Sequence, residues 1–154
     1  MRLRTFPALG LMVTCACCLP PLFAQDAKPR EAAPDDLKRL QGGWEMVRVE
    51  SEGMLSPALG RWVFKGSVVQ AGYTGADLRP IGSVKLDSSK RPKHLDLAGT
   101  NGGANSEAIP GIFKLDKDRL IICLGPKGTT ERPEDFVAPP GSNWTVLTFM
   151  RIKE

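Results

Sequence analysis

The sequence predicts an all-β fold, a small antiparallel up-and-down barrel of about eight strands behind a short N-terminal helix. Three observations carry that reading. Short runs of β-forming residues recur from Trp44 to Ile152, separated by turn-forming clusters. No long amphipathic helix lies between them to carry a parallel crossover, so neighbouring strands pair antiparallel. A meander of this length leaves two open edges unless it rolls up on itself.

Taken in order, residues 1–24 read as an export signal. Arg2 and Arg4 supply a positive start, Phe6–Leu19 is apolar and uncharged, and Ala24 offers a small residue for cleavage. The apolar stretch falls short of the ~20 residues a membrane-spanning helix needs. Lipid attachment at Cys15, Cys17 or Cys18 is the competing reading, but the residues before them fit an attachment box poorly. Plain secretion, to the periplasm or outside the cell, is preferred. Residues 25–34, with two prolines and three alanines, read as a flexible linker. The folded domain is expected over 35–154. Asp35 and Asp36 offer an N-cap and first-turn negative charge for a helix through Gln41, with Leu37 and Leu40 on one face. Gly42-Gly43 is expected to end it.

Strands follow at Trp44–Val49, where alternation is imperfect, and at Trp62–Phe64 and Val68–Val69 around Lys65-Gly66-Ser67. Ile81–Leu86 and His94–Leu97 flank a turn at 87–92. Ile109–Leu115 and Leu120–Leu124 flank a tighter one at Asp116-Lys117-Asp118, and Val146–Ile152 closes the chain. The echo between Gly82–Asp87 and Gly111–Asp116 is explained by two hairpins needing similar turn chemistry. Pro110 interrupts an apolar run and suggests an edge, a bulge or a late strand start. Residues 101–105 and 125–141 read as loops.

Export changes the composition that matters. Net charge is +4 for the whole chain. Without the signal the chain has 130 residues and a net charge of +2, and only Cys123 of four cysteines remains. No block of like charges suggests nucleic acid or a membrane surface as a partner, and a lone cysteine cannot staple the chain to itself.

Candidate chemistry is sparse. Cys123 follows Ile121-Ile122 and reads as a small core hydrophobe; a nucleophile would need a base beside it, and His94 is the one histidine. One His and one Cys do not make a zinc site, and Asp116-x-Asp118 lacks the remaining ligands of a calcium loop. No metal, cofactor or catalytic constellation is indicated, so an enzyme ranks last. Asn143-Trp144-Thr145 matches a glycosylation sequon by chance. Glu131-Arg132-Pro133-Glu134-Asp135-Phe136 groups carboxylates around an arginine. Arg132 is expected to pair with one of them and pin the long loop, with Phe136 plugging a gap beneath. Arg132, Glu134 and Phe136 are the candidate functional rim.

Five segments in order carry a family resemblance: Asp36–Glu45, Lys90–Leu97, Gly111–Asp116, Arg119–Cys123 and Glu131–Phe136. Together they resemble an uncharacterised lipocalin-like domain family abundant in planctomycete bacteria, over about Asp36 to Lys153. The chain departs from that pattern at Gly43, where threonine is common, and at Phe113, where tyrosine is common. The resemblance implies an exported lipocalin-like barrel and no particular reaction. It also implies a closing pair: Trp44 of Gly42-Gly43-Trp44 under the barrel, with Arg151 of the last strand across its ring at no more than about 6 Å.

A barrel of this size holds either packed side chains or one small ligand. The first functional expectation is a binding module for a small apolar molecule, lined by Phe64, Val84, Phe113 and Ile122. The alternative is a filled barrel that acts as a structural or interaction domain with an envelope protein.

Overall fold

A computed structural model describes residues 35–73, 77–99 and 107–153. The export signal and linker expected over 1–34, and the loop expected over 101–105, lie outside the described residues. Helix α1 spans Asp35–Leu40 and is followed by β1 (Gly42–Ser51), β2 (Met54–Ser56), β3 (Gly60–Lys65), β4 (Val68–Gly72) and β5 (Arg79–Asp87). Then come β6 (Lys93–Gly99), β7 (Ile109–Asp116), β8 (Arg119–Leu124) and β9 (Thr145–Arg151). Each strand pairs antiparallel with its neighbour, and β9 pairs back onto β1. The fold is therefore a closed antiparallel barrel of β1 and β3–β9, with β2 added beside the far half of β1. Closure satisfies the edge groups that an open meander would expose. No described helix is long and apolar enough to cross a membrane.

The sequence reading misses β2 and starts β1 too late. Helix α1 stops at Leu40, and Gly42-Gly43 are the first residues of β1 rather than a loop that ends the helix. Gln41 makes the junction. Its side-chain amide donates to Leu37 O at 2.7 Å and Gly66 O at 3.0 Å, and accepts from Gly66 N–H at 2.7 Å. Gly42 has φ +101°, a conformation that a side chain would strain, so the chain reverses there directly into the strand. The imperfect alternation in β1 also has a cause. A bulge between Met46 and Arg48 leaves Val47 unpaired and 44% exposed, while Trp44, Met46 and Val49 stay with the core.

Alternation decides the interior. In β7, Phe113 and Leu115 join the barrel core, and in β8 Leu120, Ile122 and Leu124 do so. Trp62 tilts against Phe149, ring centres 5.1 Å apart, and against Phe64 at 6.1 Å. Each fully buried large side chain contributes roughly 1.5–3 kcal/mol over its exposed state.

The barrel has two unlike ends. At one, short turns join β3 to β4 and β7 to β8, and α1 covers the opening. Leu40 is fully buried, Leu37 packs against the core, and Trp44 Nε1 donates to Leu40 O at 2.8 Å. Trp44 lies directly opposite Arg151 across the β1–β9 pairing. The Arg151 guanidinium lies 4.2 Å from the Trp44 ring centre. Its Nη1 donates to Gln41 O at 2.9 Å and its Nη2 to Arg39 O. One arginine thus covers the indole and caps carbonyls at the end of α1.

Asp36 does not serve as an N-cap. It lies inside α1, is 3% exposed, and accepts from Ser88 Oγ at 2.6 Å and Lys93 Nζ at 2.5 Å. This ties the helix to the β5–β6 turn. Burial pushes its carboxyl pKa up, but the hydrogen bonds from Lys93 and Ser88 and the charges of Lys93 and Arg39 outweigh that, holding it below the usual value. A carboxyl depressed on folding stabilises the fold above its unfolded pKa of about 4, and that contribution fades as pH falls through the lower folded value. Asp36→Asn is expected to cost about 1–3 kcal/mol at pH 7 and less at pH 3, where part of the carboxylate's contribution has gone. Urea unfolding midpoints at the two pH values check this; parallel pH dependence in both proteins would assign the acid sensitivity elsewhere.

Candidate functional site

Strands β1, β4, β6 and β8 run toward the opposite end, and β3, β5, β7 and β9 start there. The longer connections all leave from this end, and among the described residues no helix covers it. A pocket of about 460 Å3 opens here, lined by Met46, Ala58, Leu59, Gly60, Trp62, Ala71, Gly72 and Tyr73. Its floor is Trp62, held by Phe149 and Phe64. Small residues make the space. A Cβ built on Gly60 would meet Gly72 O and Met46 Cβ at 3.8 Å, ordinary contact, so the position could hold a small side chain without a clash and glycine leaves that space to the pocket. Leu59 and Tyr73, each 77% exposed, stand at its rim. A volume above about 300 Å3 with apolar walls is the usual format of a small-molecule site.

The residues expected to line a cavity lie elsewhere. Phe64, Val84 and Ile122 are buried in the packed core and do not line this pocket. The helix-side half of the barrel is filled at their level. Phe113 is buried too, and with Phe136 it borders a second recess of about 320 Å3, along with Pro92, Lys93, Lys114 and Leu115. Sequence reading missed the mouth because its walls come from glycines and alanines on either side of Trp62. That cluster of small residues around one buried aromatic is the signal that could have marked it.

A second apolar cluster lies on the outside of the barrel. Ile112, Cys123 and Val146 face outward and are covered by Ala138, with Ile121, Phe136 and Trp144 packed around them. The cover belongs to the connection between β8 and β9, residues 125–144, which acts as a strap over the wall. Arg132 holds one part of it. Its guanidinium donates to Asp96 Oδ1 and Gly111 O at 2.5 Å each and to Leu95 O at 3.2 Å. The expected pairing with Glu131, Glu134 or Asp135 is therefore corrected: those three are exposed, and Arg132 reaches across to two backbone carbonyls and the Asp96 carboxylate on β6 and β7. The other part is held by the β1–β2 turn. Gly53 N–H donates to Ala138 O at 2.6 Å, and the Glu52 carboxylate accepts from Gly141 N–H at 2.5 Å and Asn143 N–H at 3.1 Å.

Cys123 lies under the strap, its Sγ 3.8 Å from Val137 O. Burial, and then the charge of Glu50, push its pKa up to about 11, so at neutral pH it is a thiol. His94 and Cys123 occupy one row of the sheet, both paired with Ile112 from opposite sides. Two strand spacings, roughly 10 Å, and the buried Ile112 side chain keep them apart. Burial, and then the positive charge of Arg132, hold the His94 pKa below its usual value. Among the described residues no group of three or more His, Cys, Asp or Glu could hold a metal.

A closed eight-stranded meander, plugged by a helix at one end and pocketed at the other, is a lipocalin-like β-barrel. No family model matches the chain, and no curated protein and no solved structure matches it.

Proposed function

We propose that this protein is an exported lipocalin-like binding module that takes up a small apolar molecule at the open end of its barrel. The export signal read at residues 1–24 and the planctomycete family resemblance support the compartment. The pocket of about 460 Å3 floored by Trp62 carries the binding reading. The ligand sits in the mouth, not deeper in the barrel, because Phe64, Val84 and Ile122 are packed into the helix-side half. That filled half is also what favours the second reading, a structural or interaction domain of the envelope with no ligand.

Native mass spectrometry of protein purified from its own envelope separates the two. Binding predicts a retained species of discrete mass that organic extraction removes. A spectrum with only the bare chain, both before and after detergent-free purification, favours the filled-barrel reading.

A further inference from the structure

We infer that the mouth pocket selects an uncharged ligand with a flat ring, which rests on the reading of the mouth as a binding site. Charge comes first. Met46, Ala58, Leu59, Gly60, Trp62, Ala71, Gly72 and Tyr73 carry no ionised side chain at neutral pH. Arg61, opposite Gly72 in the β3–β4 pairing, and Arg79, opposite Ala71 in the β4–β5 pairing, are the cations nearest in register, and both lie outside the lining. A charged group entering these walls would shed water and find no counter-ion among the lining side chains, which costs far more than burying a neutral group. An uncharged ligand avoids that cost.

Shape comes second. The Trp62 indole borders the pocket and is fixed by Phe149 at 5.1 Å and Phe64 at 6.1 Å. Gly60 and Gly72 line the same pocket with backbone alone, so neither position contributes a side chain that would compete with a ring for the space. The Met46 thioether borders the same space, and sulfur packs well against aromatic edges. Offset stacking on a preordered indole favours a ring over a flexible chain, which would lose rotational freedom on entry.

A matched pair of fluorescent probes tests this on the mature chain at pH 7. N-phenyl-1-naphthylamine is uncharged, and 8-anilinonaphthalene-1-sulfonate is nearly the same skeleton with a sulfonate. The neutral probe is expected to bind at least tenfold more tightly. Its binding should be lost in Gly60→Val and in Ala71→Leu, which fill the pocket from two strands, each checked for folding by circular dichroism. 2-Naphthol should displace it at least tenfold more effectively than 1-dodecanol. Equal affinity for both probes overturns the charge selection while leaving the site in place. Equal displacement by naphthol and dodecanol overturns the ring selection. Binding of neither probe, or binding unchanged in both folded variants, removes the mouth as a site and the inference with it.

Discussion

Trp44→Ala is expected to destabilise the domain by about 3–5 kcal/mol, the range for deleting a fully buried large aromatic. Trp44 is 0% exposed, donates to Leu40 O, and carries Arg151 over its ring. The deletion therefore leaves a cavity under α1, an unmet carbonyl and an arginine without its platform. Against a typical stability of about 5–15 kcal/mol, this loss is a large share. Urea unfolding at pH 7 measures it directly. Trp44→Phe, which keeps most of the volume but drops the N–H donor, should recover more than half of the loss. A Trp44→Ala penalty under about 1 kcal/mol would mean that the helix plug does not depend on this residue.

Arg132→Ala is expected to loosen the strap. It removes a charge-assisted bond to Asp96 and bonds to Leu95 O and Gly111 O. Hydrogen bonds to charged groups contribute roughly 1.5–3 kcal/mol each when buried, and partial exposure of this pair brings the expected total to about 2 kcal/mol. The sensitive readout is local. Cys123 is fully buried beneath the strap, so a thiol reagent reacts only when the strap opens. A 2 kcal/mol shift in that opening raises the labelling rate by about 30-fold, since ~1.4 kcal/mol is tenfold. Arg132→Lys should recover only part of it, because a single ammonium cannot span both carbonyls and the carboxylate as a guanidinium does. Unchanged labelling in Arg132→Ala would place the hold on the strap at Glu52 and Gly53 instead.

The two predictions divide along what the amino acids reveal in one dimension. The barrel was legible because period-two alternation and turn clusters repeat along the chain, and antiparallel neighbours need only short turns. Trp44 and Arg151 are far apart in sequence; a meander that closes brings their strands together, and the lipocalin-like resemblance pointed to these two residues as the pair that meets. The helix was legible from Leu37 and Leu40, but its end was not. Gly42-Gly43 reads equally as a helix stop or a strand start, and only the reach of Gln41 to Gly66 decides between them.

The strap was not legible. Ile112 and Cys123 sit in apolar runs, Ile109–Phe113 and Leu120–Leu124, that look alike whether both faces are buried or one is. Nothing local says that residues 125–144 fold back to cover the outer face, and so Arg132 was expected to pair with its sequence neighbours. Its partners on β6 and β7 are more than 20 positions away.

Composition and periodicity, both local properties, were enough to specify an all-β closed barrel, because each strand's inward face is written in its own alternate residues. Where that barrel is solid and where it is hollow depends on how side chains from non-adjacent segments add up in space. Phe64, Val84 and Ile122 meet at one level and fill it, while Gly60, Ala71 and Gly72 meet above Trp62 and leave the mouth open. Volume at a level of the barrel is a sum over strands, and no single strand carries that sum.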